Sequence, residues 1–353
     1  MYSDFISLFR PSIFESIQPQ YRILPAKYSQ QYFKLLLNYP KLFSLPFELW
    51  ELDALEVNSR NYKITQGCDA ISLSLKQLNE NSDLDSLRIR HQFLLSYAVS
   101  SSLFPLIYTD IYGSTISHCI SKSGCVISRF VEGRYYNTIS QTEADSLCVA
   151  IKKLSMTDIS RPELSNFPRC NQHKQLDEII STFEYFYSIK YDKIRTVGLN
   201  EYNLLQAMRS DLFSILNLIS RLDFPEDIIL SHFDLHPLNI LIDNKSSKIW
   251  LVDIDSLFLG PSYIALAYAA FRLQRALYIL SSTYIPGKFL ISLKAAFGPY
   301  CASLHNDTIM LYAKYELLRR ISLVLILNYK YHNSKWNKIL ESLIAGIYEC
   351  DYL

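Results

Sequence analysis

The stretch "LSHFDLHPLNILIDNKSSKIWLVDIDS", residues 230–256, constrains this chain more than any other. It crowds two histidines, four aspartates and two asparagines among strongly apolar neighbours. Two apolar runs, "NILID" and "KIWLVDID", flank a polar turn, which is the pattern of a β-hairpin. A hairpin sets its two ends side by side. Asp234 and Asn239, ahead of the first strand, are therefore expected close to Asp253 and Asp255 at the end of the second. The segment just before, "IILSHFDL", reads as a loop.

That grouping has a chemical meaning. Phosphoryl transfer needs an oxygen acceptor to orient or deprotonate the nucleophile, and hard oxygen ligands to hold Mg²⁺ on the phosphates. Asp234 would accept the substrate hydroxyl proton. Asn239 and Asp253 would ligate the metal, and His232 would fix the loop through hydrogen bonds. Asp255 either assists the metal or caps the strand. The same residues offer a zinc-hydrolase alternative: on an extended segment His232, Asp234 and His236 share a face and would converge as three ligands. Against it, the other histidines (91, 118, 173, 305 and 332) form no second ligand cluster, and Asn239 would have no role. His236 is then a loop-packing residue.

The rest of the chain divides around this device. Residues 1–45 are aromatic and proline-punctuated and read as an N-terminal extension of short helices and turns packed on the main body. From 46 to 131 the pattern is β-rich. "FELWELDALEVNS", "RNYKITQG" and "AISLSLKQL" read as strands, the last with period-two alternation. "LDSLRIRHQFLLSYAVSSSL" has helical spacing, and Gly113 and Gly124 mark turns in the strands that follow. From 132 to 353 the character is mainly helical, with apolar stripes at i, i+3, i+4. The expectation is an α+β fold of two lobes, a small β-rich N-lobe and a larger, mainly helical C-lobe.

Composition narrows the class further. Of 353 residues 49% are hydrophobic and 20% charged, which excludes a disordered chain, and a net charge of +1 gives no broad pull toward nucleic acid or anionic membrane. Seven scattered cysteines without a CxxC pair argue against a disulfide framework and for a reducing compartment. The N-terminus lacks the basic region of a signal peptide. The most apolar windows, "YIALAYAAFRLQRALYIL" and "LLRRISLVLILNYKY", are interrupted by arginines, so no membrane insertion is expected. A cytoplasmic protein is the resulting expectation.

"H-F-D-L-H-P-L-N-I-L" followed by "L-V-D-I-D" resembles the aminoglycoside phosphotransferase and choline-kinase-like superfamily, small-molecule kinases with a protein-kinase-like fold. The protein-kinase form, H-R-D-x-x-x-x-N then D-F-G, is the more distant version. The match runs from about 228 to 270, with weaker similarity over about 55–350. The resemblance implies ATP and Mg²⁺ as cofactors and the hydroxyl of a small molecule as acceptor: an amino alcohol, a sugar, a homoserine-like compound or an aminoglycoside. It implies that Lys76, in "ISLSLKQL", pairs the α/β-phosphates. It also implies that Ile127 to Glu132 in "ISRFVEG", with Phe130 and Glu132, forms the adenine edge, and that Ser59, Arg60 and Asn61 approach the phosphates. A degenerate pseudokinase or nucleotide-binding structural protein on the same fold is the alternative.

The chain departs from the family pattern in three places. The phosphate-covering turn near "VNSRNYK" has no glycine. No Glu occurs from 81 to 131, so His91 or Gln92 stands where the small-lobe helix usually offers a Glu to the lysine; Lys76 then pairs with Asp83 or Asp85, or lacks a partner. After "GP", Ala265 stands where the family carries an Asp. Arg319 and Arg320 either meet an anionic substrate or, as is commoner for such residues, are solvated or paired with nearby acids.

Overall fold

The computed structural model describes residues 21–23, 32–42, 47–52, 59–66, 72–78, 82–101, 103–118, 122–137, 140–189, 197–281, 289–331 and 337–352. The small lobe is built on an antiparallel sheet of β1 (Tyr21–Ile23), β2 (Phe47–Leu52), β3 (Ser59–Gln66), β4 (Leu73–Leu78) and β5 (Cys125–Arg129), in that spatial order. The alternation in "LSLKQL" decides what this sheet does. Leu73 and Leu75 point into a small core with Leu49, Ile64 and Ile127, so Ser74 and Lys76 point the other way, into the cleft between the lobes. Directly opposite residues share a face, and the register Asn61↔Lys76↔Val126 and Lys63↔Ser74 places Asn61, Lys63 and Val126 beside Lys76.

The covered face of that sheet needs a lid, and the chain before residue 45 supplies part of it. A helical turn at 32–36 buries Tyr32, Leu35 and Leu36 against the small core, while β1 pairs with β2. The expected N-terminal extension thus contributes these described pieces to the small lobe. Helix α1 (Leu84–Ser101) lies between β4 and β5 and turns Leu87 and His91, one helical turn apart, toward the cleft.

In the large lobe β6 (Gly133–Tyr135), β8 (Ile240–Asp243) and β9 (Ile249–Leu251) form one sheet in the order β6-β8-β9, and β7 (Ile228–His232) pairs with β10 (Leu257–Pro261) in another. The segment "IILSH", expected as a loop, is therefore a strand. Its partner lies across the whole hairpin, a non-local pairing that local pattern does not reveal. The helices are α2 (Gln141–Ser155), α3 (Gln172–Ser188), α4 (Leu199–Ala207), α5 (Arg209–Ile219), α6 (Ser262–Ser281), α7 (Leu290–Ala296), α8 (Pro299–Ser303), α9 (Asn306–Tyr331) and α10 (Asn337–Glu349). Ser140 caps α2, accepting from the Glu143 backbone N–H, while Glu143 accepts from Asn137 N and pairs with Arg134.

Helix α6 is buried along most of its length, from Tyr263 to Leu277. Its arginines, which break the apolar run in sequence, reach fixed partners: Arg275 pairs with Glu349 at 2.8 Å and bonds Ser342, and Arg272 turns toward the loop after β7. Among the described residues no helix is long and apolar enough to cross a membrane, and the described cysteines are free thiols.

Candidate active site

The hairpin sits as its sequence predicts. β8 and β9 pair with Ile240 opposite Leu251, and Val252 N donates to Asn239 O at 3.0 Å, so the residue before the first strand meets the residue after the second. The loop from His232 to Asn239 is tied to this frame by its own side chains. His232 Nδ1 accepts from Asp234 N (3.3 Å), which leaves Nε2 to donate to Val252 O (2.8 Å). Asn239 Nδ2 donates to Asp234 O at 2.9 Å, with Asp234 Oδ2 at 3.5 Å. Both ring nitrogens of His232 are spent on the backbone, so the zinc set His232, Asp234 and His236 does not converge. No group of three or more metal-ligating His, Cys, Asp or Glu residues occurs among the described residues.

Asp253 faces Lys76 across the cleft. Lys76 Nζ lies 2.9 Å from Asp253 Oδ1 and 3.1 Å from Asp255 Oδ2. The lysine thus pairs with neither Asp83, which accepts from Ser86 at the start of α1, nor Asp85, which pairs with Arg88. The physical reason is the strand alternation: Lys76 points to the cleft floor, whereas Asp83 and Asp85 sit at the outer end of the helix. Burial raises the Asp253 carboxyl pKa, but the ammonium of Lys76 outweighs it and holds the group below the ordinary value. Where the family resemblance implies a glutamate, His91 is fully buried and its Nδ1 shares a hydrogen bond with Thr115 Oγ1 at 2.8 Å. Burial, helped by Lys76 and Arg90, pushes its pKa down to about 4.

Asn239 and Asp253 fit a hard cation. The amide nitrogen of Asn239 is committed to the loop, so its carbonyl oxygen is left to face the cleft beside the Asp253 carboxylate, and both are oxygen donors. The cleft encloses about 290 Å³ and is lined from the small lobe by Asn61, Lys63, Lys76, His91 and Val126 and from below by Asn239, Asp253 and Asp255. Arg60 does not line it and is exposed, one residue out of phase with Asn61, and the side chain of Ser59 lies outside the described residues. The turn 53–58 lies outside the described residues. At the connector, Phe130 N donates to Ser72 O and Glu132 O accepts from Asn244 N, while the Glu132 carboxylate holds Lys63 at 2.7 Å. Val131, between them, has no backbone hydrogen bond to another described residue and lines the cleft. Its main-chain groups are available to a ligand in the cleft.

Sequence reasoning missed what surrounds Asp234. Arg320 Nη2 is 3.2 Å from Asp234 Oδ1 and also donates to Phe233 O at 3.3 Å, and Arg272 Nη1 is 3.8 Å from the same carboxylate oxygen. Burial raises the Asp234 pKa, but Arg320, His236 and Arg272 together hold it well below the ordinary range. His236 Nδ1 accepts from Leu238 N, so Nε2, 3.5 Å from Asp234 Oδ2, is the protonated nitrogen of a ring that burial keeps neutral. Arg319 and Arg320 both pair with buried Glu316, at 2.7 and 3.0 Å, which settles them as ion-paired. Ala265, where the family resemblance implies an Asp, is buried in α6. The available signal was chemical: an arginine inside a nearly all-apolar helix needs a partner.

No protein-family model matches the sequence, and no curated protein matches it. Solved structures do match. A spectinomycin phosphotransferase bound to ADP and spectinomycin superposes with a TM-score of 0.61 at 11% identity, over 87% of this chain and 94% of that one. An ethanolamine kinase of Plasmodium vivax matches with a TM-score of 0.59 at 14% identity, over 99% and 93% of the two chains. A choline kinase of Streptococcus pneumoniae matches at 0.58 and 13%, over 92% and 99%. The chain has the two-lobed, protein-kinase-like fold of the aminoglycoside phosphotransferases and the choline and ethanolamine kinases.

Proposed function

We propose that this protein is an ATP-dependent phosphotransferase that moves the γ-phosphoryl group to a hydroxyl of a small molecule. One observation carries the reading: Lys76 from the small lobe and Asn239, Asp253 and Asp255 from the hairpin meet at the floor of one cleft, beside the loop that holds Asp234. Neighbours of the same fold that act on spectinomycin, choline and ethanolamine support it, one of them with ADP bound.

The chemistry follows from the side chains. The connector at Val131 would take the adenine edge, and Lys76 would release its carboxylates to hold phosphate oxygens. Mg²⁺ held on Asn239 and Asp253 would neutralise charge on those oxygens. Asp234, a carboxylate at every pH of interest, orients the acceptor hydroxyl and takes its proton. The acceptor oxygen forms a bond to the γ-phosphorus, the bond from that phosphorus to the β–γ bridging oxygen breaks, and ADP leaves with that electron pair. His91 in place of a helix carboxylate favours a second reading, a nucleotide-binding relative without transfer. Equilibrium titration with ATP and Mg²⁺, followed by ADP release over a panel of hydroxyl compounds, separates the two. Binding with acceptor-dependent ADP release is the expected result. Absence of binding at saturating Mg²⁺ would sink both readings, and binding without any transfer would leave only the second.

A further inference from the structure

We infer that the acceptor is an anionic alcohol, a hydroxyl compound that also carries a carboxylate or phosphate group; this rests on the phosphotransferase reading. Any acceptor must place its hydroxyl against Asp234, and that carboxylate is approached by Arg320 at 3.2 Å and Arg272 at 3.8 Å, both on the same oxygen. The remaining groups of an acceptor therefore lie beside two guanidiniums. Three arginines (272, 319 and 320) face two carboxylates (Asp234 and Glu316), which leaves the cluster with excess positive charge. Glu316 cannot serve a cationic acceptor, because Arg319 grips both its oxygens and Arg320 shares one of them.

Arg272 is the residue with capacity to spare. Its Nη1 donates to Tyr268 Oη at 2.8 Å and approaches Asp234, but its Nε and Nη2 have no partner among the described residues, and the side chain is 22% exposed. Arg275, one turn on, is by contrast held by Glu349 and Ser342. The aromatic face beside the cluster, of the kind that cradles an ammonium group, is also taken: Arg320 lies over the Tyr268 ring, 4.1 Å from its centroid. A planar fork with free donors beside the hydroxyl-accepting oxygen suits a carboxylate or phosphate and repels an ammonium group.

A matched series HO–CH₂–CH₂–X tests this on the 353-residue chain with MgATP: ethanolamine, ethylene glycol, 3-hydroxypropionate and 2-hydroxyethyl phosphate, with glycerate and glycerol phosphate as further anions. An anion should be the best acceptor, with kcat/KM at least about tenfold above its ammonium and neutral counterparts. The carboxylate and phosphate arms show which anion the fork prefers. Arg272→Met, which keeps the apolar stem, should cut kcat/KM for that anion by about tenfold or more, mainly through its KM, and erase the preference over the neutral alcohol. An ammonium or neutral alcohol as best acceptor overturns the inference and leaves the phosphotransferase reading standing. So does an Arg272→Met variant that raises the KM for ATP while keeping acceptor preference, because the guanidinium would then serve the transferring phosphoryl group. Transfer to no acceptor of any charge overturns the inference and the reading together.

Discussion

Asp253 holds φ 61° and ψ 60°, a left-handed conformation that costs a non-glycine residue on the order of 1 kcal/mol or more. Its surroundings compensate: Lys76 holds one carboxylate oxygen, Ser256 Oγ lies 3.3 Å from the other, and Ser256 N donates to its carbonyl. The kink turns the carboxylate from the end of β9 back toward Lys76. Asp253→Ala should therefore weaken MgATP binding by at least about tenfold in a calorimetric titration, a loss typical of a ligand-set member. An unchanged affinity would remove Asp253 from the metal-binding role. At this scale the residues of one continuous motif were legible in the sequence. Asp234, Asn239 and Asp253 follow from spacing and a hairpin, both local. The partner of Lys76 and the arginines on Asp234 were not, because each comes from an element far away in the chain, and only packing decides which side chains meet.

Among the elements, β4 and α1 show how a strand and a helix build one side of the cleft. The two-residue period of "LSLKQL" fixes the direction of Lys76, and that period is legible in the amino-acid order alone. The helix was readable as a helix, but the consequence of His91 was not, since its burial depends on how α1 docks under the sheet. That burial makes a pH prediction. An unfolded imidazole binds a proton near pH 6.5, whereas His91 does so only at about 4. Between those values the unfolded state holds more protons, so stability falls as the pH drops from about 6.5 and levels off below about 4. The contribution is on the order of 2 kcal/mol between pH 7 and pH 5. Urea unfolding at the two pH values should show this loss in the native protein and a smaller one in His91→Gln. Equal pH dependence in both proteins would mean that His91 is not held neutral.

For the molecule as a whole, function depends on how the lobes are joined. Arg90, buried in α1, donates to Leu257 O at 2.9 Å and stacks on Phe258, and Leu251 N donates to Leu103 O at 2.8 Å. At the connector a Cβ on Gly133 would lie 2.4 Å from Ile242 O, so only glycine lets β6 approach β8 this closely. Gly133→Ala should lower unfolding stability by roughly 1–3 kcal/mol and weaken nucleotide binding together with it, as the connector is pushed off the hairpin. Full stability in that variant would contradict the close packing. The two-lobed architecture was legible in the shift from short strands to helical stripes, whereas β7 with β10 and β1 with β2 were not, because each pairing is completed by distant sequence. On the proposed reading the site divides its labour: Asp234 would act on the acceptor, while Lys76, Asn239 and Asp253 would hold the nucleotide and its metal. Asp234→Asn, assayed for phosphoryl transfer and for MgATP affinity in the same preparation, tests it most directly. Turnover should fall about 10²-fold or more with MgATP affinity essentially retained; unchanged turnover, or turnover lost only because MgATP no longer binds, would rule out this role for Asp234.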